Sequence, residues 1–126
     1  MSRILVIDDE PQIRTLLREA LEIAGHQVLE AGNGKEGLRA YQAQPADLVI
    51  TDILMPEKEG LECILELRRI DPGVRVFAIS GGSRFVQKDV LDLARRFGAR
   101  RTFWKPFDLE RVVGAVCEEL EERRAV

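Results

Sequence analysis

Short apolar runs alternate with longer stretches of helical period along this chain. Runs near 3–7, 27–30, 47–51, 75–79 and 101–104 read as strands, the second being the least regular. Between them, apolar residues recur every three or four positions, as on one face of a helix. The first such stripe is Ile13, Leu16, Leu17, Ala20, Leu21 and Ala24, with Pro11 suited to its first turn and Gly25 to its C-terminal end. The second starts at Asn33, with Glu36 in capping-box position, and runs to about Ala43. Leu61, Ile64, Leu65 and Ile70 mark the third, halted by Pro72-Gly73; Val86, Val90, Leu93, Ala94 and Phe97 mark the fourth, ended by Gly98. Leu109, Val112, Val113, Val116, Cys117 and Leu120 mark the fifth, capped by Asp108. Strands that alternate with helices predict βαβ units, so the expected fold is α/β, a doubly wound parallel sheet of five strands.

Each of four runs ends in a reactive group. Ile4–Ile7 leads into Asp8-Asp9, Leu48–Thr51 into Asp52, Val76–Ile79 into Ser80, and Phe103-Trp104 into Lys105-Pro106. In doubly wound sheets ligands bind beyond the carboxyl ends of the strands, so these groups are expected to converge. Two like charges ~4 Å apart repel by about 4 kcal/mol at an effective dielectric of ~20, a cost tolerated where a cation is to be bound. Helix capping is the competing explanation for Asp8-Asp9, since Asp9-Glu10-Pro11 suits a helix start. Asp52, Ser80 and Lys105 taken singly read as a loop acid, a turn residue and a surface lysine. Four such groups, one after each run, argue for a site.

The chemistry follows from the residue types. Three carboxylates without His or Cys are hard oxygen donors, which suit Mg²⁺. A metal and an ammonium around a carboxylate suit phosphoryl transfer. Asp52 is placed to be the nucleophile, forming an acyl phosphate, and needs no base because it is already ionised. Ser80 is placed to donate a hydrogen bond to a phosphoryl oxygen.

Composition narrows the rest. At 126 residues, 45% apolar and 33% charged, with net charge −3, the chain suits one ordinary domain and gives no bulk electrostatic signal for nucleic acid. Arg95-Arg96 and Arg100-Arg101 read as solvated helix-end charges, and His26 as a solvated loop residue. Cys63 and Cys117 lack metal-ligand spacing and read as buried thiols. No stretch is long enough for a membrane span, and the first residues lack a signal-peptide layout; a cytoplasmic protein without membrane attachment is expected. The charged end is expected to fray, with the domain at 1–122 and a tail at 123–126.

Four stretches together are highly specific: Ile4–Glu10, Asp47–Pro56, Ile79-Ser80-Gly81 and Lys105-Pro106-Phe107. Through them the chain resembles, over essentially its whole length, the receiver domain of two-component response regulators. The resemblance implies a flavodoxin-like sheet of order 2-1-3-4-5, an order for which a chemotaxis receiver is the standard illustration. It implies that Asp52 accepts a phosphoryl group from a sensor histidine kinase or a phosphotransfer protein. Asp9, Asp52 and the Leu54 backbone carbonyl would then ligate Mg²⁺, with Asp8 reaching the ion through water. Ser80 would close on the phosphoryl group and Lys105 would pair with it, switching the face of the fourth helix, fifth strand and fifth helix. It also implies a cis Lys105-Pro106 bond. Leu54 and Gly82, two past Asp52 and Ser80, cannot orient a water through their side chains, so a long-lived phospho-form is expected. The implied protein is a signalling domain rather than an enzyme, one that assists its own phosphorylation and dephosphorylation. It would be a monomer or weak homodimer, either a single-domain regulator or part of a longer one, with an unidentified output partner.

One position departs from the family pattern. Receivers usually carry an aromatic three residues before the lysine, and here that residue is Thr102. Trp104 shares its strand face; either Trp104 or Phe103 substitutes, or the output surface is read differently. Two other classes compete. An Asp-nucleophile phosphohydrolase would tend to carry an acid at position 54, where this chain has Leu54. A binding module that had lost phosphorylation would not keep the whole set Asp8, Asp9, Asp52, Ser80 and Lys105.

Overall fold

The computed structural model of the chain describes residues 2–53, 60–81 and 92–125, with side chains as far as residue 121. In chain order the elements are β1 (Arg3–Ile7), α1 (Pro11–Ile23), β2 (Gln27–Ala31), α2 (Gly34–Ala43), β3 (Leu48–Asp52), α3 (Gly60–Ile70), β4 (Val76–Ser80), α4 (92–97), β5 (Arg101–Trp104) and α5 (Leu109–Ala125). Of the stripe that predicts α4, Val86 and Val90 lie outside the described residues. The helical backbone of α5 continues to Ala125, through the stretch where its charges predict fraying.

All five strands are parallel and lie in the order β2-β1-β3-β4-β5. Side chains alternate across a strand, so each central strand feeds two cores. Ile4, Val6, Leu48, Ile50, Phe77 and Ile79 pack with Leu17, Leu21, Val112 and Val116 of α1 and α5. Leu5, Ile7, Val49, Val76 and Ala78 pack with α2, α3 and Ala94 of α4. β3 and β4 are buried throughout, which is why they read as continuous apolar runs. β2 is an edge strand that exposes Gln27 and Glu30, which is why its pattern is the faintest.

The helix ends follow local chemistry. Pro11 opens α1, and Gly25 follows its C-terminus at φ +98°, a conformation that side chains resist. Asn33 caps α2 by accepting from the Glu36 N–H, while Glu36 reaches back to the Gly32 N–H. Cys63 is buried and Cys117 half-buried, both as free thiols. His26 is half-buried rather than solvated, because it shares a small cavity with Ser2, Cys117 and Leu120.

Candidate functional site

β1, β3, β4 and β5 end side by side, so Asp8, Asp52, Ser80 and Lys105 emerge at one edge of the sheet. The Lys105 ammonium lies 2.9 Å from Asp8 Oδ2, 2.9 Å from Glu10 Oε1 and 3.2 Å from Asp52 Oδ2. One oxygen from each of Asp8, Asp9, Glu10 and Asp52 can lie within 4.8 Å of the others. Four carboxylates therefore cluster here, and three of them lie against one lysine.

Their settings differ. Asp8 and Asp52 are buried, whereas Asp9 and Glu10 are exposed. Asp8 Oδ1 accepts the Glu10 N–H at 2.9 Å. Its Oδ2 is buried without a hydrogen-bond donor, and the nearby Lys105 ammonium supplies charge but not hydrogen-bond geometry. Burial pushes the Asp8 carboxyl above its usual value, and the Glu10 N–H and Lys105 offset this only in part. Burial alone would pull Lys105 down, but its close contacts with the Asp8 and Glu10 carboxylates and the charge of Asp52 outweigh it and hold Lys105 above its ordinary value. A desolvated carboxylate oxygen with no donor, among three further acids, is a fit for a hard cation.

Capping does not explain the acid pair. Glu10 is the cap residue of α1 and makes no side-chain cap bond. Ser80 is fully buried, and its hydroxyl donates to the Gly81 carbonyl at 3.1 Å. The Lys105 N–H donates to the Ser80 carbonyl at 2.7 Å, and the Lys105-Pro106 bond is cis. The Lys105 backbone is thus held against that of Ser80. Leu54 and Gly82 lie outside the described residues.

The family model for the response regulator receiver domain matches residues 4–117. The chain belongs to this family. It is 35% identical over 115 residues to the chemotaxis protein CheY of Thermotoga maritima, covering 90% of this chain and 93% of that protein. A solved receiver domain from Clostridium thermocellum superposes with a TM-score of 0.89 at 31% identity, covering 99% of this chain and 98% of that one. The response regulator TrrA of Thermotoga maritima, solved in complex with Mg²⁺-BeF, superposes with a TM-score of 0.80 at 34% identity, covering 94% of this chain and 99% of that one. Receivers of this kind are signalling domains of two-component systems, and the flavodoxin-like order 2-1-3-4-5 is the order of this sheet.

Two residues of this receiver's site escape a reading of the strand ends. Glu10 belongs to the acid cluster, although it reads as part of a helix start. Gly60 opens α3 so close to β3 that a Cβ there would sit 2.1 Å from the Asp52 carbonyl oxygen. Its only signal in the sequence is a glycine at a helix start, where many residues would serve.

The aromatic question is resolved in part. Phe103 points into the α1–α5 core, its ring 5.8 Å from that of Phe77. It therefore does not stand in for the missing aromatic. Trp104 lies opposite Ser80 in the β4–β5 register and is about half exposed, at 46%. Arg100 is no loose surface charge, because it pairs with the buried Glu119.

Proposed function

We propose that Asp52 is the phosphoacceptor, taking a phosphoryl group from the phosphohistidine of a sensor kinase or phosphotransfer protein in the cytoplasm. The observation that carries this is a buried carboxylate held 3.2 Å from a lysine, at the mouth of a sheet that also presents Asp8 and Ser80. An Asp52 oxygen attacks phosphorus, the bond to the donor nitrogen breaks, and an acyl phosphate forms. The new group carries a charge near −2. Lys105 then turns toward a phosphoryl oxygen. Ser80 gives up its bond to the Gly81 carbonyl to donate to the same group.

Asp8, Asp9 and Asp52 would hold Mg²⁺, together with the Leu54 carbonyl. The ion would neutralise charge on the phosphoryl oxygens. The donor-less Asp8 oxygen supports this assignment, as does the likeness to a regulator solved with Mg²⁺-BeF.

Movement of Lys105 and Ser80 would be transmitted to β5 and its flanks, the face of α4, β5 and α5. A groove of about 1000 Å³ lies there, lined in part by Arg95, Thr102, Trp104, Phe107 and Arg111. Its arginines suit an output partner with acidic side chains. Among the described residues no helix is long and apolar enough to cross a membrane.

The test is intact-mass measurement with Mg²⁺ and a small acyl-phosphate donor. Wild type should gain one phosphoryl group and Asp52→Asn none, with folding unchanged. Rapid donor turnover without a phosphoprotein would favour a hydrolase. No reaction would favour a binding module.

A further inference from the structure

Three acids share Lys105, and they are not equivalent. The side chains of Asp8 and Asp52 are 0% and 4% exposed, so neither can leave the ammonium without stranding a buried charge. The Glu10 side chain is 53% exposed and can turn to water at little cost. It makes a well-formed hydrogen bond to Lys105 at 2.9 Å across 95 positions of sequence. Its place at the start of α1 does not otherwise occupy it, since it makes no side-chain cap bond.

From this geometry we infer that Glu10 is a positioning residue, a releasable counter-ion that holds Lys105 at the mouth of the site until an incoming phosphoryl group displaces it. The inference rests on reading Asp52 as the phosphoacceptor. A dianionic phosphoryl group needs Lys105, and it competes for that ammonium with the one acid that can withdraw. This competition slows capture of the phosphoryl group, so Glu10 sets how readily this receiver is charged.

Two measurements on the full chain test this. In metal-free protein, reductive methylation of Lys105 followed by peptide mass should run about two- to fivefold faster in Glu10→Gln than in wild type, the range for losing one exposed ion pair. At saturating Mg²⁺, phosphorylation by a small acyl phosphate should accelerate by a similar factor. That acceleration should vanish in a Lys105→Gln background, because Glu10 acts through the lysine. Unchanged lysine labelling would overturn the inference. So would acceleration that persists without Lys105, which would show a general field effect. Slower phosphorylation with weaker Mg²⁺ binding would also overturn it and make Glu10 a metal ligand. Should wild type take up no phosphoryl group at Asp52, the reading of the site fails, while the labelling result still decides whether Glu10 clamps the lysine.

Discussion

At one end of the sheet four acids cluster and three of them share one lysine; at the other, one acid is shared by two arginines. Glu119 of α5 is 4% exposed and accepts from Arg100 through both of its oxygens, at 3.1 Å each. Arg75, just before β4, donates to the same carboxylate and to the Glu119 carbonyl. Each Glu119 oxygen is satisfied, and three segments of chain are tied together. At the opposite end Asp8 Oδ2 has no donor, and negative charge is in excess. A saturated cluster holds structure. An under-compensated one stores an affinity for cations.

Removing Glu119 should have the largest effect on stability. Glu119→Ala leaves two guanidinium groups facing each other at a partly buried site, and should cost about 3 kcal/mol in urea unfolding. A cost under about 1 kcal/mol would show that water already supports the arginines, and the contrast between the two ends would collapse.

Lys105→Met should come next, lowering stability at pH 7 by about 2 kcal/mol, because it strips the acids of their counter-charge. Unlike the loss at Glu119, this one should shrink with acid. The raised pKa of Asp8 makes it protonate early as pH falls, and protonation removes the repulsion. Lys105 itself is held above its ordinary value, so it keeps its charge below about pH 10, and its contribution is otherwise lost only in alkali. Unfolding curves at pH 7 and pH 4.5 should therefore differ in the variant more than in wild type. A deficit that stays constant with pH would refute the electrostatic account.

Asp8→Asn should act in the opposite sense to Glu119→Ala. It removes a desolvated charge while Lys105 keeps Asp52 and Glu10, and should stabilise the metal-free protein. Calorimetric titration should show weakened Mg²⁺ binding in the same variant. Destabilisation would mean that the Asp8–Lys105 pair matters more than its desolvation.

The smallest effect is optical. Trp104 sits opposite Ser80 at the acid end and is half exposed. Its emission should shift slightly on phosphorylation, beyond any quenching by Mg²⁺, and Ser80→Ala should reduce that shift. If phosphorylated wild type, confirmed by mass, shows no added shift, Trp104 is a packing residue and does not report the switch.

Much of the acid end was legible in the sequence, because its main residues follow buried strands. An apolar run predicts a strand, and the parallel topology brings strand ends together, so Asp8, Asp52, Ser80 and Lys105 could be grouped before any contact was seen. The arginine–glutamate cluster was not legible. Arg75 and Arg100 precede strands, and Glu119 sits in a charged helix among other glutamates, where nothing marks it as buried.

Local pattern determined the elements, their order and the chemical type of the site, since side-chain alternation and helical period follow from backbone geometry. Tertiary structure alone decided the partners. Glu10 meets Lys105 because the lysine side chain reaches from the end of β5 to the start of α1, Gly60 must lack a side chain because α3 starts against the Asp52 carbonyl, and Phe103 rather than Trp104 enters the core because strand register sets its face. These depend on how elements far apart in the chain dock, and the spacing of residues along a single element carries no record of it.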